Sequence, residues 1–127
     1  MSEEFKFEII SPDERIYSGD TEEVVLPCFE GQITVLKNHI PLITFLRPGI
    51  IQIGKGEKFY AEDGTVEFSD NNLLILTSNA KDLVNFDKTL VNDLLKKAEA
   101  ELNNTDFTDK DRYILSYKIE TLREISQ

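Results

Sequence analysis

Apolar and polar residues alternate along the first two-thirds of the chain. Phe5, Phe7 and Ile9 alternate with Lys6 and Glu8 until Ser11-Pro12-Asp13, where proline removes a ladder donor. This predicts a strand and its stop. Short runs of the same kind follow at Ile16-Tyr17 before Ser18-Gly19, and at residues 23–27, 32–36, 42–46 and 50–53, with Gly54-Lys55-Gly56 as a hairpin tip. Runs at 58–62 and 65–69 flank Asp63-Gly64, which reads as a type I′ hairpin turn because Asp-Gly tolerates positive φ. Asp70-Asn71-Asn72 then turns into a run at 73–77. So many short strands joined by tight turns imply two packed antiparallel sheets, since a single twisted sheet would leave an apolar face uncovered.

Near Asn85 the period changes. Asp87 is placed to cap a helix, and Leu90, Val91, Leu94, Leu95, Ala98 and Leu102 then recur along one helical stripe that Asn103-Asn104 ends. A second helix is expected from Thr108, with Asp111 three residues on forming a capping box in which Asp replaces Glu. Ile114, Leu115, Tyr117, Ile119, Leu122 and Ile125 supply its apolar side. The expected fold class is therefore α+β, mainly β: an antiparallel β-sandwich over residues 1–84, then an antiparallel α-helical hairpin over 85–127. Residues 79–87 are the candidate hinge. Helices of roughly 15 residues are marginal alone in water, so docking of the hairpin on the sandwich or on a partner is conditional.

Composition narrows the function. A chain of 127 residues with 14 Lys+Arg against 24 Asp+Glu has a formal net charge of -10, which disfavours nucleic acid and anionic lipid as partners. The single cysteine, Cys28, excludes an intrachain disulfide, fits a reducing compartment and reads as a small hydrophobe at a strand end. The opening MSEEFKF has neither signal-peptide nor transit-peptide character, and no apolar run approaches the roughly 20 residues that span a bilayer. Membrane association is expected to come through partner proteins, with no direct bilayer insertion.

Residues able to carry catalysis are missing. One His and one Cys make neither a triad nor a zinc site, so no metal and no catalytic residue is expected. The acidic groups at residues 20–23 and 62–63 read as solvated turns, and Gly54-Lys55-Gly56 lacks the spacing and following helix of a phosphate loop.

The motif-bearing stretch is EGQITVLKNHIPLITFLRPGIIQI, residues 30–53. Its Glu30-Gly31 step, its HxPL step at 39–42 and its LxPG turn at 46–49, together with FEIISPDERIYSG near the start, resemble the epsilon subunit of F-type ATP synthases, whose mitochondrial counterpart is called delta. The resemblance covers nearly the whole chain, although Thr34 and Asn38 stand where many members carry Gly.

The resemblance implies a non-catalytic rotor subunit at the cytoplasmic face of a bacterial inner membrane. Its sandwich would clamp the foot of the gamma subunit against the membrane ring, coupling proton-driven rotation to ATP synthesis. Glu30, Gln32, Asn38 and His39 become candidates for ring contact. The hairpin would regulate, folded beside the sandwich or extended along gamma to obstruct hydrolysis, with Lys110, Arg112, Lys118 and Arg123 then facing acidic segments of the alpha/beta catalytic head. Some bacterial members bind ATP through an I/L-D-x-x-R-A motif on the hairpin. Here Asp93 is present, but Lys96 replaces the Arg and Lys97 the Ala, which loses the bidentate guanidinium fork. The plain reading of Asp93 is an ion pair with Lys97 on an exposed helix face, and weak or no ATP binding is expected; no cofactor is implied. The alternative is a small ligand-binding β-sandwich with a helical dimerisation tail. It would need an exposed aromatic cluster, for which Phe59, Tyr60 and Phe68 are the candidates.

Overall fold

A computed structural model describes residues 3–104 and 106–126. Ten strands precede two helices: β1 (Phe5–Ile10), β2 (Arg15–Thr21), β3 (Glu23–Cys28), β4 (Gly31–Leu36), β5 (Leu42–Leu46), β6 (Gly49–Ile53), β7 (Lys58–Ala61), β8 (Gly64–Ser69), β9 (Asn72–Leu76), β10 (Ala80–Asp82), α1 (Lys88–Glu101) and α2 (Asp109–Ser126). A 3-10 turn at Leu83–Asn85 links β10 to α1.

Hydrogen bonding joins the strands into one path, β10-β7-β6-β3-β5-β8-β9-β1-β2, with β4 on the other side of β3. The path folds over at its narrowest link. There β3 and β5 share the register pair Cys28↔Leu46, flanked by Phe29 N donating to Phe45 O and Arg47 N to Pro27 O at 3.1 and 2.9 Å. One layer is therefore β4-β3-β6-β7-β10 and the other β5-β8-β9-β1-β2, and their facing side chains form the core. That core takes Phe5, Phe7 and Ile9 from β1, Val24, Leu26 and Cys28 from β3, Ile51, Phe59, Val66, Phe68, Leu73 and Ile75 from the rest. These are the alternate positions the sequence pattern puts on one face. Burial pushes the Cys28 thiol up to about 11, with the nearby Glu30 carboxylate adding to it, as befits a packed residue and not a reactive one.

Three local expectations are corrected. The pairing is antiparallel except that β1 runs parallel to β9, with Phe7 against Leu73 and Ile9 against Ile75. Ser18-Gly19 does not stop β2, which continues to Thr21 along β1. Asp63-Gly64 is not a hairpin, since β7 pairs with β6 and β10 while β8 pairs with β5 and β9. It is the corner where the chain changes layer. The Asp63 carboxylate accepts from Ser78 N, Ser78 Oγ and Thr77 Oγ1 at 2.7–3.1 Å, and although burial pushes its pKa up, these bonds hold it below the usual carboxylate range. The type I′ geometry belongs instead to Asp70-Asn71, with φ of 50° and 60°, between β8 and β9. The candidate hinge, residues 79–87, holds β10, paired with β7, and the 3-10 turn capped by Asp82.

A second buried cluster lies outside the sandwich core. It comprises Val91, Ala98, Leu115, Ile119 and Leu122 of the helices and Tyr60 of β7, with Leu83, Phe86, Leu94, Leu95, Phe107 and Ile125 packed around them. Asp87 caps α1 by accepting from Thr89 N at 2.8 Å. The box at α2 is reciprocal: Thr108 N donates to Asp111 Oδ2 and Asp111 N to Thr108 Oγ1, both at 3.1 Å.

Pro48-Gly49 explains its own composition. A Cβ at Gly49 would lie 2.5 Å from Pro27 Cβ, a rigid ring atom on the neighbouring strand, whereas one at Gly56 would meet nothing within 4 Å. Gly49→Ala is expected to cost about 1–3 kcal/mol in urea unfolding, and Gly56→Ala to stay within about half a kcal/mol. Equal effects would contradict the close approach of β3 and β6.

Candidate functional site

The four residues proposed for ring contact do not share one loop. Glu30 lies in the tight β3–β4 turn closed by the pair Cys28↔Gly31. Thr44 Oγ1 donates to its carboxylate, 2.6 Å from Oε2, and this hydrogen bond holds the Glu30 carboxyl below its ordinary range. Gln32 pairs with Pro27 and borders a cavity lined by Arg47, Tyr117, Glu120 and Glu124, so it faces α2.

Asn38 and His39 stand beyond the other end of β4, a strand of five residue steps that spans on the order of 16 Å. Asn38 takes a φ of 67°, the left-handed conformation that Gly would adopt freely and that Asn tolerates. It is locked there by Asn71, whose Oδ1 accepts from Asn38 N at 2.7 Å and whose Nδ2 donates to Asn38 Oδ1 at 3.1 Å. His39 N donates to Leu36 O at 3.1 Å, and its ring stands edge-on to Phe68 with centroids 5.9 Å apart. The Asp70-Asn71 turn and Ile40, which is 74% exposed, complete this end. The sequence showed the Asp70-Asn71 turn but not its meeting with Asn38, because a paired Asn far away in sequence leaves no local signal.

An apolar row on the outer face of the second layer was also missed. The register aligns Phe45, Thr65, Leu76 and Ile10 across β5, β8, β9 and β1, with Ile43 beside them. Ile43 is 75% exposed, Phe45 58% and Leu76 47%. The signal was available: runs such as LITFL and NLLIL put apolar side chains on both faces, a pattern of strands covered on both sides.

On α2 the four candidate cations differ. Lys110 is exposed. Arg112 Nη1 and Nη2 donate to Leu102 O and Asn104 O, both at 3.1 Å, closing the C-terminal end of α1. Arg123 pairs with Glu99 at 2.9 Å and Lys118 with Glu62 at 2.9 Å. Asp93 and Lys96 are exposed on α1, and the cavity beside that helix is lined by Phe86, Leu90 and Leu94 instead. The expected Asp93–Lys97 pair does not form among the described residues; exposed helical pairs are worth only a few tenths of a kcal/mol, too little to order two long side chains. Phe59, Tyr60 and Phe68 are buried, at 3%, 3% and 1% exposure, which removes the aromatic surface that the alternative reading needed. Among the described residues no group of His, Cys, Asp and Glu is arranged to hold a metal, and no helix is long and apolar enough to cross a membrane.

Comparison with known proteins agrees with this architecture. Residues 4–82 match the family described as ATP synthase, Delta/Epsilon chain, beta-sandwich domain. The ATP synthase epsilon chain of Pelagibacter ubique is 45% identical over 99% of this chain and 100% of its own, and that of Sinorhizobium fredii 32% identical over 80% and 79%. In fold, the chain is similar to one in the Euglena gracilis mitochondrial ATP synthase OSCP/F1/c-ring structure, with a TM-score of 0.75 and 21% identity over 97% of this chain and 79% of that one. A second likeness, to a chain of the Tetrahymena thermophila mitochondrial ATP synthase central stalk and c-ring, has a TM-score of 0.64 at 15% identity, covering 96% of each. A matched sandwich, and relatedness that runs through both helices, make this chain a member of the ATP synthase delta/epsilon-chain family.

Proposed function

We propose that the chain works as a non-catalytic central-stalk subunit of an F-type ATP synthase, peripheral at the cytoplasmic face of a bacterial inner membrane. It couples rotation of the membrane ring to ATP synthesis in the catalytic head. The full-length relatedness to bacterial epsilon chains carries this reading, because it spans both the strands and the hairpin. Residues 1–84 act as the body that joins gamma to the ring, and residues 85–127 as the regulatory hairpin.

The outer apolar row is the surface for gamma. Ile43, Phe45, Leu76 and Ile10 present aligned apolar side chains to solvent, and burying one such side chain contributes about 1.5–3 kcal/mol. Phe45→Asp is expected to weaken association with gamma about ten- to a hundredfold in a pull-down titration, with the strand circular dichroism unchanged. Undiminished binding would contradict this surface.

The ring contact falls at one end of β4. Glu30 and Gln32 occupy one end, and Asn38 and His39 the other. With Cys28 replaced by Ala, single cysteines at Gln32 and His39 are expected to divide: one cross-links to ring subunits in the assembled enzyme and the other does not. Cross-linking of both only to the catalytic head would overturn the placement against the ring.

A further inference from the structure

Two cationic links cross the seam between the sandwich and α2. Lys118 Nζ lies 2.9 Å from Glu62 Oε1, its side chain only one-fifth exposed. Arg47 stacks on α2 from the other side: its Cζ is 4.0 Å from the Tyr117 ring centroid, while its Nε donates to Cys28 O at 2.9 Å. One guanidinium thus ties the end of β3 to the face of a helix. Tyr117 is itself held, its hydroxyl 3.0 Å from that of Tyr113 and the two rings edge to face.

Apolar residues also border the seam, where Phe29, Leu46 and Pro48 line a cavity with Phe107, Ile114 and Leu115 of the hairpin. Among the described residues, Tyr60 is the strand residue in the buried cluster of the hairpin, with the neighbouring Phe86 ring edge-on to it at 6.1 Å. Arg112 and Arg123, by contrast, do not cross the seam: their partners, Leu102, Asn104 and Glu99, all belong to the hairpin. The cations of α2 are therefore sorted by the motion that would free them.

We propose that Glu62 and Arg47 are the polar anchors by which the sandwich positions α2. Loss of these anchors undocks the hairpin as a unit and bares Lys118. Arg112 and Arg123, already exposed on the docked hairpin, lose their partners only by a second step, the separation of α1 from α2. The regulatory meaning of this order rests on the reading of the hairpin as a mobile element; the anchors themselves do not. Because the Lys118–Glu62 pair is partly exposed, salt weakens it, whereas a guanidinium stacked on a ring and bonded to a carbonyl keeps much of its hold.

The test uses the full chain carrying Thr121→Cys in a Cys28→Ala background. Thr121 is 8% exposed on the side of α2 that borders the cavity with Arg47 and Gln32, so alkylation of a thiol there by iodoacetamide reports undocking. Glu62→Gln and Arg47→Ala are each expected to speed labelling about two- to fivefold. Arg47→Lys should do the same in part, since an ammonium lacks the planar stacking surface. About 1 M salt, where the Debye length is about 3 Å, should speed labelling of the parent and add little to Glu62→Gln. The swap Glu62→Lys with Lys118→Glu should restore slow labelling. Labelling that responds neither to the two substitutions nor to salt overturns the anchors. So does a matching loss of amide protection in β1, β3 and β8, because the fold and not the docking would then have changed. If labelling responds as expected while ATP hydrolysis by the reconstituted synthase is unaltered in Glu62→Gln, the anchors stand and the regulatory reading of the hairpin fails.

Discussion

β7 is buried on both of its faces, and the arrangement of both hydrophobic clusters depends on that. Phe59 and Ala61 point into the sandwich core, while Tyr60 between them points into the cluster formed by the helices. Period-two geometry makes this division obligatory, since neighbouring strand residues cannot share a face. Tyr60 accepts a penalty in this position. Its hydroxyl is buried beside the Glu62 carboxylate without a hydrogen bond of good geometry, and burial first, then the Glu62 carboxylate, pushes its pKa up. A poorly satisfied buried hydroxyl costs up to about 1–3 kcal/mol, which burial of the aromatic ring beside Phe86 in the hairpin's cluster offsets. The helices thus lean on a sheet whose other face they never touch.

Much of this was legible in the chain because the two periods are clean. Alternation located β1 and the strands between residues 23 and 53, and the stripes through Val91, Ala98, Leu115 and Leu122 located both helices with their caps at Asp87 and Thr108. Alternation says which face a residue takes but not which strand lies beside it. The parallel β1–β9 pair and the corner at Asp63-Gly64 therefore escaped it: Asp-Gly suits a two-residue hairpin, yet Ser78, fifteen residues away, claims the Asp63 carboxylate. β10 escaped for a different reason. Three residues, Ala80–Asp82, are too few to establish a period.

The grouping of the candidate contact residues was not legible. Positions near a shared motif look contiguous in sequence, whereas β4 carries Gln32 and His39 to different ends of the sandwich. Asn38 in place of Gly proved compatible with the loop because the left-handed conformation suits Asn and Asn71 pins it. The cations of α2 were named as contacts for a partner, and in the folded chain Arg112, Lys118 and Arg123 have partners within the hairpin and at the seam. A helix face that is solvated in sequence terms can be neutralised by elements that sequence does not place beside it.

Sandwich and hairpin with separate cores, joined across a seam that includes Tyr60, Glu62 and Arg47, should open separately. Native-state hydrogen exchange of the full chain against increasing denaturant measures this directly. Amides of α1 and α2 are expected to open together at a lower free energy than the core amides of β1, β3 and β8, and to do so while the strands remain protected. A single isotherm shared by helices and strands would contradict the account, since it would mean that the hairpin has no opening of its own.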